Sequence, residues 1–302
     1  MADTSMHEPN RVFTDEVGRE FHYMFFDNGC SRVAVHFSAF FGDWGDSPKF
    51  RATFGGYFHR MKMLSSDTSR DWLFVCDAYG ADKNGTYYIG KHSDRFVDRA
   101  IDAILDEVGV GSKYAPENTV MIGSSMGATA ALRYGIQRNS RGIIAISPHI
   151  DLDISAKFQG RERHVDWVLD GGDTQSADNF PTTREIRHLV TNAIETEGVL
   201  PHLFLQSCRD DAGVHFEQVL PLVRSWKRLG SVFLDERRWG GHTSEYATRA
   251  VLLDVISRLE AGDAPTIRRY KWSREFRPYG LSQGAALRMK SLVGLLVRKI
   301  RR

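Results

Sequence analysis

The segment Thr119-Val120-Met121-Ile122-Gly123-Ser124-Ser125-Met126-Gly127-Ala128-Thr129-Ala130-Ala131-Leu132 passes from a short apolar run, through a G-x-S-x-G pattern, into an alanine-rich stretch of helical spacing. A buried strand that turns at once into a helix needs a sharp bend, and glycines two before and two after Ser125 leave room for it. Such a bend lifts the Ser125 hydroxyl above the sheet edge, beside a helix N-terminus. The bare pattern arises by chance about 0.2 times in a chain of this composition, so context decides. A second match, Gly280-Leu281-Ser282-Gln283-Gly284, follows the charged Arg277-Pro278-Tyr279 instead of a strand and is set aside.

Outward from this segment, short runs rich in Val, Ile and Phe alternate with stretches of helical spacing, the pattern of a mainly parallel sheet covered on both faces. Strands are expected at Glu20 to Phe26, Arg32 to Phe37, Trp72 to Asp77, Thr119 to Gly123, Gly142 to Ser147, His202 to Gln206 and Ser231 to Asp235. In Arg95 to Val108 the residues Phe96, Val97, Ala100, Ile101, Ile104, Leu105 and Val108 share one face of a helix. Further helices are expected at Met126 to Ile136, Thr183 to Ile194, Phe216 to Leu229 and Ser244 to Leu259, the second of these opened by the capping-box spacing Thr182-x-x-Glu185. The fold class is therefore α/β. About 50 residues, from His149 to Pro201, separate two strands where an αβ loop usually takes about 2 to 6; a cap-like excursion over the sheet edge is expected at 149–201.

With 42% apolar and 26% charged residues, the chain of 302 residues has the composition of an ordinary globular protein. No apolar run approaches the roughly 20 residues of a membrane span. Met1 to Asn10 carry Asp3 and Glu8 and lack the features of a signal peptide, so a cytoplasmic location is expected. Cys30, Cys76 and Cys208 are odd in number and never in a CxxC pair, which fits a reducing compartment and neither a disulfide framework nor a zinc site. From Ala264 onwards eleven Lys or Arg face the single acid Glu275, while the rest of the chain carries 29 basic and 37 acidic side chains. The division is thus a body, 1–263, and a basic tail, 264–302. An acidic body argues against nucleic-acid binding. In Leu281 to Arg302, Ala285, Met289, Leu292, Val293, Leu296 and Ile300 share a helical face, with most of the basic residues elsewhere. This basic amphipathic helix is expected either to contact an anionic membrane peripherally or to pack on the body or on a second copy of the chain.

A serine hydroxyl becomes a useful nucleophile only when a base takes its proton, and on this architecture acid and base follow later in the chain. The expected strand at His202 to Gln206 runs into Ser207-Cys208-Arg209-Asp210-Asp211, and the last strand is followed by Trp239-Gly240-Gly241-His242. His242 is the expected base, carried back to the sheet edge by two glycines. Asp210 is the preferred acid, on the usual spacing beyond the strand, and the adjacent Asp211 stays open as the alternative. The oxyanion is expected to meet the backbone N–H of Met126 and a second one from the loop Phe37-Ser38-Ala39-Phe40-Phe41-Gly42, with Phe40 nominated and Ala39 as the alternative. Tyr87 and Tyr88, beyond the strand ending at Asp77, are candidates for lining a substrate pocket, with plain loop packing as the competing reading. His149-x-Asp151-x-Asp153 carries ligand-type side chains but no fourth group at metal spacing, so a solvated loop is expected and no metal is assigned. Neither G-x-G-x-x-G after a strand nor G-x-x-x-x-G-K-[ST] occurs, and no cofactor is assigned.

Strand, Gly123-x-Ser125-x-Gly127, helix, then Asp210 and His242 in that order resemble the α/β-hydrolase superfamily over Glu20 to Leu259. More narrowly, Gly85-Thr86-Tyr87-Tyr88-Ile89-Gly90, Gly123-Ser124-Ser125-Met126-Gly127 and Ile146-Ser147-Pro148 resemble bacterial α/β-hydrolase-like proteins associated with capsular or surface polysaccharide biosynthesis. Met126 departs from that group, where a Lys is expected. The resemblance implies a serine esterase or transacylase acting through an acyl-enzyme on a carbohydrate- or lipid-linked ester. Its rival is a non-catalytic accessory module of a surface-polysaccharide or secretion assembly.

Overall fold

The computed structural model describes residues 9–40, 57–91, 94–169, 199–238, 240–242 and 247–263. They form a single sheet of eight strands in the order β1-β2-β4-β3-β5-β6-β7-β8. The strands are β1 (Asn10–Thr14), β2 (Glu20–Phe26), β3 (Val33–Phe37), β4 (Asp71–Val75), β5 (Thr119–Ser124), β6 (Gly142–Ile146), β7 (His202–Cys208) and β8 (Val232–Arg237). β2 pairs antiparallel with both β1 and β4, and all other pairings are parallel. Every residue of β3, β4, β5 and β6 is buried, as expected where helices cover both faces of a parallel sheet.

The period-two alternation sorts the strand side chains into two cores. Val35, Leu73, Met121, Ile143 and Leu203 face one layer, which includes α2 (Phe96–Val108) and α3 (Met126–Gln137). Ala34, Trp72, Val120, Ile144 and Phe204 face the other, where α1 (Met61–Leu64) and α7 (Arg249–Ala261) lie. The excursion contributes α4 (Leu152–Gln159) and α5 (Glu162–Leu169) to the first layer through Leu152, Ala156, Val165 and Val168. A helical segment, α6, follows β7 through Ala212–Val214, a π-helical turn at His215–Val219, and Leu220–Trp226.

Several elements differ from the reading of the sequence. β1 was not expected, because an edge strand half in solvent shows no clean alternation: only Phe13 of its side chains packs on the core. α1, α4 and α5 are too short to announce themselves by periodicity. α6 starts four residues before the expected Phe216, directly behind the turn that ends β7. α7 starts at Arg249, where the Thr248 side chain accepts from Val251 N, and not at Ser244. β7 and β8 each end two residues later than expected, because the ladder continues through Ser207↔Glu236 and Cys208↔Arg237. The expected helix at 183–194, most of the later half of the excursion and the whole basic tail lie outside the described residues. No described helix is long and apolar enough to cross a membrane.

One buried group stands out in the second core. His36 of β3 is fully buried against the rings of Phe74 and His59, each 5.8 Å away, and neither of its ring nitrogens has a hydrogen-bond partner among the described residues. Burial, and then the nearby His59 and Arg60, hold its proton affinity well below that of an ordinary histidine. A histidine kept neutral by folding protects stability above the unfolded value near 6.5, and that protection is lost as pH falls below it, because only the unfolded chain then takes up the proton. The thermal midpoint should therefore fall as pH drops below about 6.5, each such ring removing up to about 1.4 kcal/mol of unfolding free energy per pH unit. His36→Leu should flatten part of that slope in circular-dichroism melts; an unchanged slope would show that His36 does not contribute to it.

Candidate active site

The parallel ladders set Phe37, Gly123, Ile146 and Gln206 near one edge, so the loops after β3, β5, β6, β7 and β8 emerge together. Ser125 sits between β5 and α3 with φ 54° and ψ −122°, a conformation that side chains rarely adopt. The flanking glycines are required by close backbone approach. A Cβ on Gly123 would lie 2.0 Å from the Gly127 carbonyl oxygen, and one on Gly127 would lie 2.2 Å from the Phe37 carbonyl oxygen. Ser125 N donates to Ile146 O at 2.8 Å, which ties the bend to the neighbouring strand. Met126 opens α3, where the first N–H groups have no acceptor within the helix.

The imidazole of His242 lies between the hydroxyl and a carboxylate: Nε2 is 2.8 Å from Ser125 Oγ, and Nδ1 is 2.6 Å from Asp211 Oδ2. Because a carboxylate only accepts here, Nδ1 carries the proton and Nε2 is left to accept from Ser125. The carboxylate against His242 is thus that of Asp211, not of Asp210 as preferred from the sequence. The physical reason is the length of β7. Its ladder runs to Cys208, and three residues beyond Cys208 is Asp211. Asp211 is buried and also accepts from Gln159 Nε2 at 3.2 Å. Asp210 has a different task, since its two oxygens accept from Gly240 N at 3.0 Å and Gly241 N at 2.8 Å. Both glycines have positive φ, 141° and 61°, and the carboxylate of Asp210 folds the loop that presents His242.

The loop from Asp77 to Gly90 walls the other side. The buried Asp77 carboxylate accepts from Thr86 N, Thr86 Oγ1, Tyr88 N and Tyr79 N, while burial pushes its proton affinity up. Tyr87 and Tyr88 follow each other in the left-handed region, at φ 57° and 60°. Tyr88 does not line an open pocket. It is fully buried, with its hydroxyl within hydrogen-bond reach of the Ser38 and Val75 carbonyls. Tyr87 is also buried, but its ring stands edge-on to that of His149, and its hydroxyl faces the Arg161 guanidinium. Tyr87 N donates to the Met126 sulfur at 3.3 Å, so this loop rests directly on the elbow.

Phe40 is half-buried, its ring edge-on to His164 of α5 and under the Arg161 guanidinium at 4.1 Å. The loop after β3 therefore reaches the excursion as well as the elbow, and Phe41 and Gly42 lie outside the described residues. His149, read from the sequence as part of a solvated loop, is fully buried beside His242, their rings 4.8 Å apart. The signal that could have found it is topological: His149 lies three residues past β6, the strand next to β5. Asp151 caps α4 by accepting from Ile154 N at 3.0 Å. Among the described residues no group of three His, Cys, Asp or Glu side chains is placed to hold a metal.

A hydroxyl held 2.8 Å from an imidazole that is itself oriented by a carboxylate can lose its proton to the ring as it attacks an acyl carbon. Known structures share the scaffold that carries these side chains. The capsule O-acetyltransferase of Neisseria meningitidis serogroup A aligns with a TM-score of 0.60 at 21% identity, over 81% of this chain and 96% of that one. An S-formylglutathione hydrolase from Agrobacterium tumefaciens aligns with 0.55 at 12% identity, over 85% and 95%. A glycosylation-associated protein complex from Streptococcus agalactiae aligns with 0.55 at 20% identity, over 84% of this chain and 45% of that one. No protein-family model matches the sequence, and no curated protein does. Strand order, elbow and structural likeness together show that the chain has the α/β-hydrolase fold.

Proposed function

We propose that the protein is a serine-dependent acyl hydrolase or transacylase that works through an acyl-enzyme on Ser125. The observation that carries this reading is the continuous contact Ser125 Oγ to His242 Nε2 and His242 Nδ1 to Asp211 Oδ2, assembled on a strained elbow. In the first half-reaction Ser125 Oγ bonds to the acyl carbon while its proton passes to His242 Nε2. The proton then goes to the leaving oxygen or sulfur as that bond breaks. Water or an acceptor hydroxyl repeats the steps in reverse. The N–H of Met126 and one from the loop at Ala39 and Phe40 are assigned to the oxyanion, and Tyr87 to the wall of the acyl site.

A carbohydrate hydroxyl is the acceptor, or a carbohydrate ester the substrate, that we favour. The likeness to a capsule O-acetyltransferase supports it, and a variant of that enzyme has been solved in complex with CoA, which brings thioesters among the donors to test. The rival reading, a non-catalytic accessory module, is supported by the likeness to the glycosylation-associated complex. It leaves unexplained why all three side chains keep hydrogen-bond distance.

A fluorophosphonate should label the full chain at Ser125 alone, and Ser125→Ala should abolish the label. Absence of label on a folded wild type would favour the accessory reading. Replacing the orienting carboxylate should cost about three to four orders of magnitude in turnover of an activated ester, because the imidazole then loses its required tautomer. Asp211→Asn should show that loss. Asp210→Asn should lose less, since its amide oxygen still accepts from one of the two glycine N–H groups and His242 keeps the Asp211 carboxylate; the reverse ranking would return the role to Asp210.

A further inference from the structure

Among the described residues, His149 is a buried titratable side chain directly against His242 that the proposed reaction does not use. Its Nε2 lies 3.2 Å from His242 Nε2, and its Nδ1 lies 2.6 Å from Ser155 Oγ. Its carbonyl accepts from Thr129 Oγ1 of α3, which fixes its backbone to the elbow helix. What matters chemically is which of its nitrogens carries a proton, and the surrounding bonds decide that.

Gln218 Oε1 accepts from Ile150 N at 2.6 Å and from Asp151 N at 2.8 Å, so its amide is oriented with Nε2 towards Ser155 Oγ, 3.4 Å away. Ser155 Oγ in turn donates its only proton to the Asp151 carbonyl at 2.7 Å. With its proton committed there, Ser155 can only accept from the imidazole, and His149 Nδ1 must be the donor. His149 Nε2 is therefore bare, its lone pair directed at His242. Burial first, then His242 and Arg161, hold His149 well below the proton affinity of an ordinary histidine, in keeping with a neutral ring. The other groups facing the pair are Asp211 on His242, Tyr87 on the flank of His149, and Asp210, whose carboxylate is bound to the glycine N–H groups.

In the resting state His242 Nε2 is bare as well, apart from the Ser125 hydroxyl proton that it accepts, so two nitrogen lone pairs meet across 3.2 Å. When the Ser125 proton moves to His242 Nε2, that contact changes sign, because the new N–H has His149 Nε2 within hydrogen-bond distance as well as Ser125 Oγ. We propose that His149 is a positioning residue that holds a bare nitrogen against His242 and so favours the protonated ring that exists only while the acyl group is being transferred. The inference rests on Ser125 as nucleophile and His242 as base. Interactions stronger in the transition state than before it raise the rate of the chemical step and leave ground-state binding alone. No proton leaves the Ser125, His242 and leaving-group set; His149 only accepts a hydrogen bond.

The test uses the full chain, a fluorophosphonate and p-nitrophenyl acetate. His149→Phe keeps an aromatic ring but removes the acceptor, whereas His149→Gln can place an amide oxygen where Nε2 stood. A hydrogen bond to a charged group implies that His149→Phe labels and turns over about ten- to a hundredfold more slowly, in kcat and not in KM. The fall of its labelling rate on the acid side should shift to lower pH, while His149→Gln recovers most of the rate. Ser155→Ala frees the ring to take the other tautomer and should slow labelling by a smaller factor, which tests the idea even if His149→Phe fails to fold. Folded His149→Phe with wild-type kcat and acid limb, or His149→Gln as slow as His149→Phe, would overturn the proposal. Failure of the wild type to label at all would instead remove the serine-nucleophile reading, and this inference with it.

Discussion

The contact on which the rest of the site depends is backbone against backbone. The Gly127 position of α3 packs against the Phe37 carbonyl of β3, and Gly123 packs against Gly127, at distances that exclude even a methyl group. Such an approach forces the chain to reverse within one residue, and Ser125 takes the strained conformation that results. Strain of this kind costs of order 1–3 kcal/mol and survives only where its surroundings over-determine it. Here they do, since Ser125 N is bonded to β6, and the small buried Ala128, Ala130 and Ala131 let α3 lie close on the sheet. Everything else at the edge is arranged around this fixed point.

The loops that surround it cannot be held by ladder hydrogen bonds, and carboxylates substitute for them. Asp77 gathers four donors and shapes the wall that carries Tyr87. Asp210 gathers two glycine N–H groups and shapes the loop that carries His242. Asp211, one residue on, holds the imidazole itself. A carboxylate has two oxygens and several lone pairs, so one buried acid can take the place of several backbone acceptors. Two of the three bind N–H groups of loops that hold glycine and left-handed residues, and the third binds the His242 ring.

The core of this arrangement is readable from the sequence because it is local. Gly123-x-Ser125-x-Gly127 between a strand and an alanine-rich helix leaves few alternatives, and Gly240-Gly241-His242 sits where a returning base belongs. What escaped the reading depends on distant partners. Asp210 and Asp211 differ only in how far the β7–β8 ladder extends, which no single-strand pattern reveals. His149 has the flanks of a surface loop, and its burial comes from α4, Gln218 and Tyr87 closing over it. Tyr88 shares every local feature of Tyr87 yet points its hydroxyl at the carbonyls of Ser38 and Val75. β1 escaped because half of an edge strand faces water.

The separation of the Ser125 hydroxyl from the His242 imidazole, 117 positions along the chain, has a consequence for biosynthesis. Parallel pairings such as Phe37↔Gly123 close long loops and form slowly. A ribosome releases the elbow well before it releases β8 and the loop behind it, and domains emerge from the amino end first. Throughout that interval Ser125 has neither the imidazole nor the Asp211 carboxylate, and it remains an ordinary alcohol. If Ser125 is the nucleophile proposed above, incomplete products of translation would carry the elbow without the imidazole and carboxylate that β7, β8 and the loop behind them bring to it.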